Sequence, residues 1–376
     1  MSGIYIHIPF CSKACHYCDF HFSTQKKNID LMVLAIIKEL KSRKKEIKEP
    51  IKTIYFGGGT PSILSVLQLN DILNTINIKY TIDSNVEITL EANPEDLSEK
   101  KLKALFMIGV NRLSIGVQSL NDDVLQWMNR NHDLKQAKRS VELANKIGFK
   151  NISVDFIYGT PKNINRSWEK EIKELVSYPI THLSAYHLTI EPKTFFSNQL
   201  KKGVFNTITQ EESLNEYLKL VDILNDNNIM QYEVSNFAKQ GFKSIHNTSY
   251  WQQKKYIGIG PSAHSYDGDS RRWNISNNTG YIKKVNNKEV FYEAEQLTSL
   301  DKFNELIMVG LRTENGFNLK QANSFLNCNH LKEFTFQLKK LLSNSTIQQK
   351  ENQISMFENK LMLAEHATRE LFILNE

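Results

Sequence analysis

Cysteine is scarce in this 376-residue chain, and apolar runs are short. Of its four cysteines, Cys11, Cys15 and Cys18 fall within eight residues and Cys328 lies far away, so no disulfide framework can be built. A reducing cytoplasm is therefore the expected compartment. The longest clean apolar run, Leu31 to Ile37, has seven residues, against the ~20 that a membrane helix needs. Neither a basic n-region nor an apolar h-region precedes the cysteines, and no secretory signal is expected. Charge of one sign is not concentrated either. The net +6 comes from lysines spread along the chain, with local runs such as Lys41 to Lys48 that read as solvated helix faces. Without a recurrent basic-aromatic pattern, a nucleic-acid track is not expected. A hydrophobic fraction of 40% and a mean hydropathy of −0.42 describe an ordinary globular chain, and the length fits one large domain plus a smaller one.

What cysteine there is organises the rest. The three clustered thiols have the spacing C-x3-C-x2-C, directly after an alternating Ile4, Ile6, Ile8 run that reads as a strand ended by Pro9. Three thiolates can bind three irons of a cubane cluster. Electron carriers of the [4Fe-4S] type use four cysteines, so a set of three leaves one iron open to a small molecule. The alternative is a structural zinc knot, with His7, His16 or His21 as fourth ligand.

Beyond this loop, strand and helix patterns alternate six times. A helical pattern spans 29–47, and Thr53–Phe56 reads as a strand that runs into Gly57-Gly-Gly-Thr-Pro61, with a helix near Ser62. Strands follow at 87–90, 112–117, 152–157 and 182–188, with helices at 98–108, 121–147 and 165–177 between them. Such βα units imply parallel strands with right-handed crossovers. Six are too few for a closed (β/α)8 barrel, so the expectation is α/β, a partial (β/α)6 barrel, with ligands at the C-terminal strand ends. Further on, a helix is expected at 210–227, a strand at 231–234 and a polar, aromatic-rich segment from 235 to 285. From about 290 the pattern turns helical, with helices at 318–327 and 330–343. Short β-prone stretches at Thr346–Gln348 and Leu361–Leu363 suggest a hairpin, hence a mainly helical, winged-helix-like domain. The expected division is 1–235, 236–289 and 290–376. Cys328 reads as a small buried hydrophobe in a helix.

The glycines of Gly57-Gly-Gly-Thr-Pro61 let backbone approach a ligand, although a plain strand-to-helix turn would use them equally. Together with the cysteines, these blocks resemble the radical S-adenosylmethionine (radical SAM) superfamily. The signatures Ile6-His-Ile-Pro-Phe-Cys11, Phe56-Gly-Gly-Gly-Thr-Pro61, Glu91-Ala-Asn-Pro94, Arg112-Leu-Ser-Ile-Gly-Val-Gln118, Asp155-Phe-Ile-Tyr-Gly159, Ser184-Ala-Tyr-His-Leu-Thr-Ile-Glu-Pro192 and Gly258-Ile-Gly-Pro-Ser-Ala-His264 occur in order. That set resembles the oxygen-independent coproporphyrinogen III dehydrogenase (HemN) family, and most of all its heme-chaperone branch, HemW. The resemblance implies the same partial barrel and a [4Fe-4S] cluster on Cys11, Cys15 and Cys18. It also implies S-adenosylmethionine (SAM) among Tyr5, Gly58, Gly59, Thr60, Glu91, Gln118, Arg130 and Asp155. An Arg130 fork would suit a carboxylate, and Asp155 would suit ribose hydroxyls. Three positions depart from the family pattern without removing a ligand: Asn129 and Lys193 stand where glycine is usual, and Thr160 replaces a leucine.

His246-Asn-Thr-Ser-Tyr250-Trp251 marks the heme-binding branch. By resemblance His246 would ligate heme iron while Tyr250 and Trp251 stack on the macrocycle; taken alone, the block reads as a surface loop with a structural histidine. The oxidase branch is characterised by a further cysteine two residues after the third, where this chain has Phe20. The resemblance therefore implies a cytoplasmic heme chaperone, with the coproporphyrinogen III dehydrogenase as the alternative. Whether the chain is also an enzyme is left open, and oxidation of coproporphyrinogen III is not expected. The partners such a function admits are heme, an acceptor hemoprotein, a membrane surface met during delivery and a second copy of the chain.

Overall fold

The strands of the first half alternate, with apolar residues such as Ile4, Ile6, Ile54 and Phe56 on one face and polar or aromatic ones such as Tyr5, His7, Thr53 and Tyr55 on the other, and both faces are largely buried. In the computed structural model, which describes residues 2–162, 164, 166–357 and 360–374, they form a parallel array in chain order: β1 (Ser2–Ile8), β2 (Ile51–Gly58), β3 (Ile82–Ala92), β4 (Arg112–Gln118), β5 (Asn151–Tyr158) and β6 (His182–His187). All seven positions of β4 are buried. The crossover helices begin where polar caps allow. Ser65 and Gln68 form a capping box for Val66–Lys79, and Asp133 and Gln136 another for Leu134–Ile147. Two expected boundaries move. The helix placed near Ser62 begins as a 3-10 turn, Pro61–Ile63, and becomes α-helical only after Ser65. The helices expected over 121–147 are Asp122–Trp127 and Leu134–Ile147, separated where Asn129 takes φ 61°. The helix from Ile29 stops at Ser42, because Arg43 turns back to Glu39 and Glu46.

The segment 235–285 supplies strands as well as loops. β7 (Met230–Gln231), β8 (Asn236–Ala238), β9 (Tyr256–Ile259), β10 (His264–Tyr266), β11 (Ser270–Asn274) and β12 (Tyr292–Gln296) complete a sheet of order β12-β11-β10-β9-β1-β2-β3-β4-β5-β6-β8-β7 among the described residues. β9 runs parallel to β1, pairing Gly3 with Tyr256 and Ile6 with Ile259, so the first strand of the chain lies inside the sheet. The strand expected at 231–234 is cut to two residues, since the Val234 N–H turns away to the carbonyl of Arg312. Ile257, Ile259, Tyr281, Ile282 and Val285 join the same apolar core as β1–β6.

A second apolar core, from Phe303 to Ile373, is built by the helices Ser299–Leu311, Cys328–Ser343 and Ala364–Leu371. They carry a small sheet of β13 (Phe317–Asn318), β14 (Ile347–Lys350) and β15 (Gln353–Met356), in the order β13-β15-β14. The hairpin partner of the Thr346 stretch is thus β15, which β14 meets through a tight turn with Glu351 at φ 54°. Leu361–Leu363 is a 3-10 turn instead of a strand. Cys328 is also corrected: it opens its helix just after the Asn327 cap and is exposed. No helix among the described residues is long and apolar enough to cross a membrane.

Candidate functional site

The cysteine loop leaves β1 at Pro9 and is tied at its base, where the Ser23 N–H donates to Pro9 O (2.9 Å) and the Cys11 N–H to Ser23 O (3.1 Å). Its far side is held by two other segments. Asn129 Nδ2 donates to Ala14 O (2.6 Å) and His16 Nδ1 to Trp127 O (2.7 Å). The His16 ring stacks on Phe195, with centroids 3.8 Å apart. Of the histidines a closed zinc site could draw on, His7 has both ring nitrogens engaged, Nε2 donating to His21 O (2.9 Å) and Nδ1 accepting from Tyr5 OH (3.1 Å), and His21 Nε2 meets Asn278 Oδ1 (2.8 Å). Among the described residues no three His, Cys, Asp or Glu side chains converge on a single-ion position. A cubane does not require that, because each thiolate takes a different iron. Burial pushes the Cys11 thiol up to about 11, against the hydroxyl of Thr60, and the Cys18 thiol up to about 12, so a metal would have to displace protons on binding.

Above the loop, β2 ends in Gly58 and Gly59. Gly58 has φ +109°, and a Cβ on Gly59 would stand 2.7 Å from Phe10 O and 2.9 Å from Ile8 O, so the edge can pass under the exit of β1 only as glycine. Backbone bonds fix that crossing, Gly59 N–H to Ile8 O (2.9 Å) and Thr60 N–H to Phe10 O (2.8 Å). Thr60 Oγ1 lies 3.4 Å from Cys11 Sγ. Glu91, at the end of β3, accepts from Tyr55 OH (2.7 Å) and from the Gly58 N–H (3.2 Å). Burial raises its carboxyl to about 7, and nearby Asp155 adds to the rise. Asp155 accepts from Ser114 Oγ (3.1 Å) and is also raised by burial. Ser114 stands opposite Glu91 in the β3–β4 register, so the two carboxylates flank one serine. Tyr5 has its ring stacked on Tyr55 and its hydroxyl on His7 Nδ1 (3.1 Å).

A register shift between Gly116 and Gln118 puts a bulge at the end of β4, and Gln118 takes φ 68° there. Its amide folds over Gly116 beside Arg130. The guanidinium of Arg130 is not a free fork. Nη2 donates to Asn93 Oδ1 (2.6 Å) and Gly116 O (2.7 Å), Nη1 approaches Cys15 Sγ (3.2 Å), and Nε is buried without a partner. Asn93, which also reaches Thr60 Oγ1 (3.5 Å), Ser114 and Tyr55 are the site residues that sequence reasoning did not single out. Asn93 lies within the Glu91-Ala-Asn-Pro94 block, and that position was the available signal.

His246 lies one ring layer below this rim, stacked on Tyr5 and Tyr55, and is 1% exposed. The helix Ile245–Trp251 closes the opposite end of the barrel, where the Glu87 carboxylate accepts the N–H groups of Ile245 (3.0 Å) and His246 (2.9 Å). Both ring nitrogens are committed, Nδ1 to Thr53 Oγ1 (2.7 Å) and Nε2 to Tyr250 OH (2.8 Å), and the ring stacks on Tyr55 at 4.9 Å. In this conformation His246 offers no lone pair to an iron. Burial, with the charge of Arg112 added, lowers it to about 3, so the imidazole is neutral. The Tyr250 hydroxyl points inward to His246, while Tyr250 and Trp251 also line a cleft of about 140 Å³.

Residues 5–175 match the model of the Radical SAM superfamily. The chain is 39% identical over 325 residues to the heme chaperone HemW of Bacillus subtilis, across 85% of this chain and 86% of that one. It is 33% identical over 376 residues to the heme chaperone HemW of Lactococcus lactis, across 100% and 98%. Among solved structures, the coproporphyrinogen III oxidase HemN of Escherichia coli matches with a TM-score of 0.85 over 99% of this chain and 90% of that one; at 21% identity this is a likeness of fold.

Proposed function

The chain belongs to the radical SAM superfamily and, within it, to the HemW heme chaperone family, and from that membership we propose that it binds heme and passes it to an acceptor hemoprotein. The superfamily implies a [4Fe-4S] cluster and SAM. We assign the cluster to Cys11, Cys15 and Cys18, and SAM to the rim of Tyr5, Gly58, Gly59, Thr60, Glu91, Gln118, Arg130 and Asp155. When bound, the cluster supplies one-electron reduction. The chain's own residues do the rest: the glycine edge offers backbone N–H and C=O groups, Glu91 and Asp155 offer acceptors, and Arg130 braces the cysteine loop against β4.

The observation that supports a chaperone over an oxidase is a pair of features in one chain. Phe20, 68% exposed, stands where the oxidase branch has its further cysteine, and Tyr250 and Trp251 are half-buried in the lining of a cleft beside the helix Ile245–Trp251. His246 is the proposed iron ligand, and ligation requires the Tyr250 hydroxyl to leave its Nε2. Titration of anaerobically reconstituted protein with hemin, with and without SAM, should give a stoichiometric Soret band. His246→Ala should shift that band and weaken binding while SAM affinity is kept. Replacing Cys11, Cys15 and Cys18 with Ser should abolish the iron-sulfur absorbance. A protein that takes up stoichiometric zinc and no iron, or that leaves hemin unbound, refutes the corresponding assignment.

A further inference from the structure

The two apolar cores do not merge, and the seam between them is polar and aromatic. The helix Ser299–Leu311 is held to the β10–β11 hairpin by two ion pairs, Lys302 to Asp269 (2.5 Å) and Arg271 to Glu305. The Lys302–Asp269 pair is open to water through the 73% exposed Asp269, where such contacts hold weakly, and the Arg271–Glu305 pair is open on its Arg271 side, 39% exposed, with Glu305 at 11%. Behind the Arg271–Glu305 pair lies the cleft, lined by Tyr250, Trp251, Tyr256, Tyr266, Arg271 and Glu305. Tyr250 and Tyr256 meet edge to face at 4.5 Å, and Trp251 Nε1 is buried with no partner. The aromatic surface continues along the hairpin. Tyr266 opposes Arg271 and His264 opposes Trp273, two residues further along, so all four side chains share one face of the sheet. His264 is exposed and its ring stacks on Trp273 at 6.2 Å.

A flat apolar macrocycle with carboxylates on one edge needs these two things, aromatic faces for the ring and a cation for its edge. The cation is present, but Glu305 occupies it. At about 140 Å³ the cleft is also smaller than the ~300–1,000 Å³ of ordinary ligand pockets, so a ligand of that class enters only if the seam parts. We propose that this cleft is the closed form of the heme site. The helix Ser299–Leu311 acts as its cover, and Arg271 exchanges the Glu305 carboxylate for a heme propionate as the cover lifts. This assignment rests on the heme-binding reading above and adds to it the residue that recognises the carboxylate edge.

The test compares hemin with hemin dimethyl ester, which has the same ring and no free carboxylates, on full-length wild type, Arg271→Gln and Glu305→Gln. Wild type should bind hemin about tenfold more tightly than the ester, the size of one charge-assisted pair. Arg271→Gln should lose that preference by weakening hemin alone. Glu305→Gln should tighten hemin severalfold, because Arg271 no longer has a resident partner. SAM affinity and thermal midpoint serve as controls for folding. An Arg271→Gln protein that keeps the full preference for hemin overturns the assignment, as does a Glu305→Gln protein that binds hemin more weakly. If wild type binds hemin and ester equally, the propionate contact is refuted while the heme reading stands. Wild type that binds neither refutes both.

Discussion

Glu91 is pulled in two directions. Burial and Asp155 favour its protonated form, while Tyr55 OH and the Gly58 N–H favour the carboxylate, and the balance leaves its carboxyl at about 7. The folded protein therefore holds a proton that the unfolded chain releases above about 4.5, and ligand-free stability falls as pH rises through that window. At about 1.4 kcal/mol per unit the loss is a few kcal/mol at most. Glu91→Gln should flatten the slope, measured as the difference in urea midpoint between about pH 5 and about pH 8. An unchanged slope would show that the carboxylate is better solvated than its surroundings imply. His246 has the opposite sign. Its value lies below that of a free histidine, so the folded state resists its protonation, and stability falls as pH drops below about 6.5.

Backbone strain at two turns ties the elements to the cysteine loop. Asn129 and Lys193 both occupy positive φ, 61° and 69°, where a Cβ is unfavourable and asparagine is tolerated best. Lys193 precedes the Thr194 cap of the helix Phe195–Lys201, whose first residues pack on His16. Lys193→Val should lower stability by about 1–2 kcal/mol, and Lys193→Gly should not; thermal midpoints of the two variants check the pair. The alternation of strand and helix patterns is a local signal, and it made β1–β6 legible, whereas the rim residues were expected only from the radical SAM resemblance. The strands β9–β12 were not legible, because runs of three to five residues contain too few alternations to separate from polar loop. His246, expected as a heme ligand and, taken alone, as part of a surface loop, is buried, because its surroundings, Thr53, Glu87 and Tyr55, come from strands far away in sequence. Local pattern cannot register such a pocket.

At the scale of the whole molecule, the match to HemN concerns the fold, and a fold with its cofactor does not set the substrate. We expect no conversion of coproporphyrinogen III to protoporphyrinogen IX. Radical abstraction is productive only from a near-attack geometry, and the chain lacks the oxidase branch's further cysteine at position 20. The deciding assay is anaerobic, with reconstituted protein, SAM, a low-potential reductant, an electron acceptor and coproporphyrinogen III, followed by product fluorescence. Multiple turnovers would overturn the chaperone reading.

The interior position of β1 has a consequence for biogenesis. The strand that delivers the cysteine loop is synthesised long before Tyr256–Ile259, the strand that pairs its second edge. About 250 residues must be synthesised in between, which at roughly 5–20 residues per second takes on the order of tens of seconds. Throughout that interval Ile4, Ile6 and Ile8 belong to an unfinished edge, a template for wrong pairing. A nascent chain is thus exposed to wrong pairing in the same strand that delivers its cysteine loop, and that loop is made while its supporting sheet is still half built.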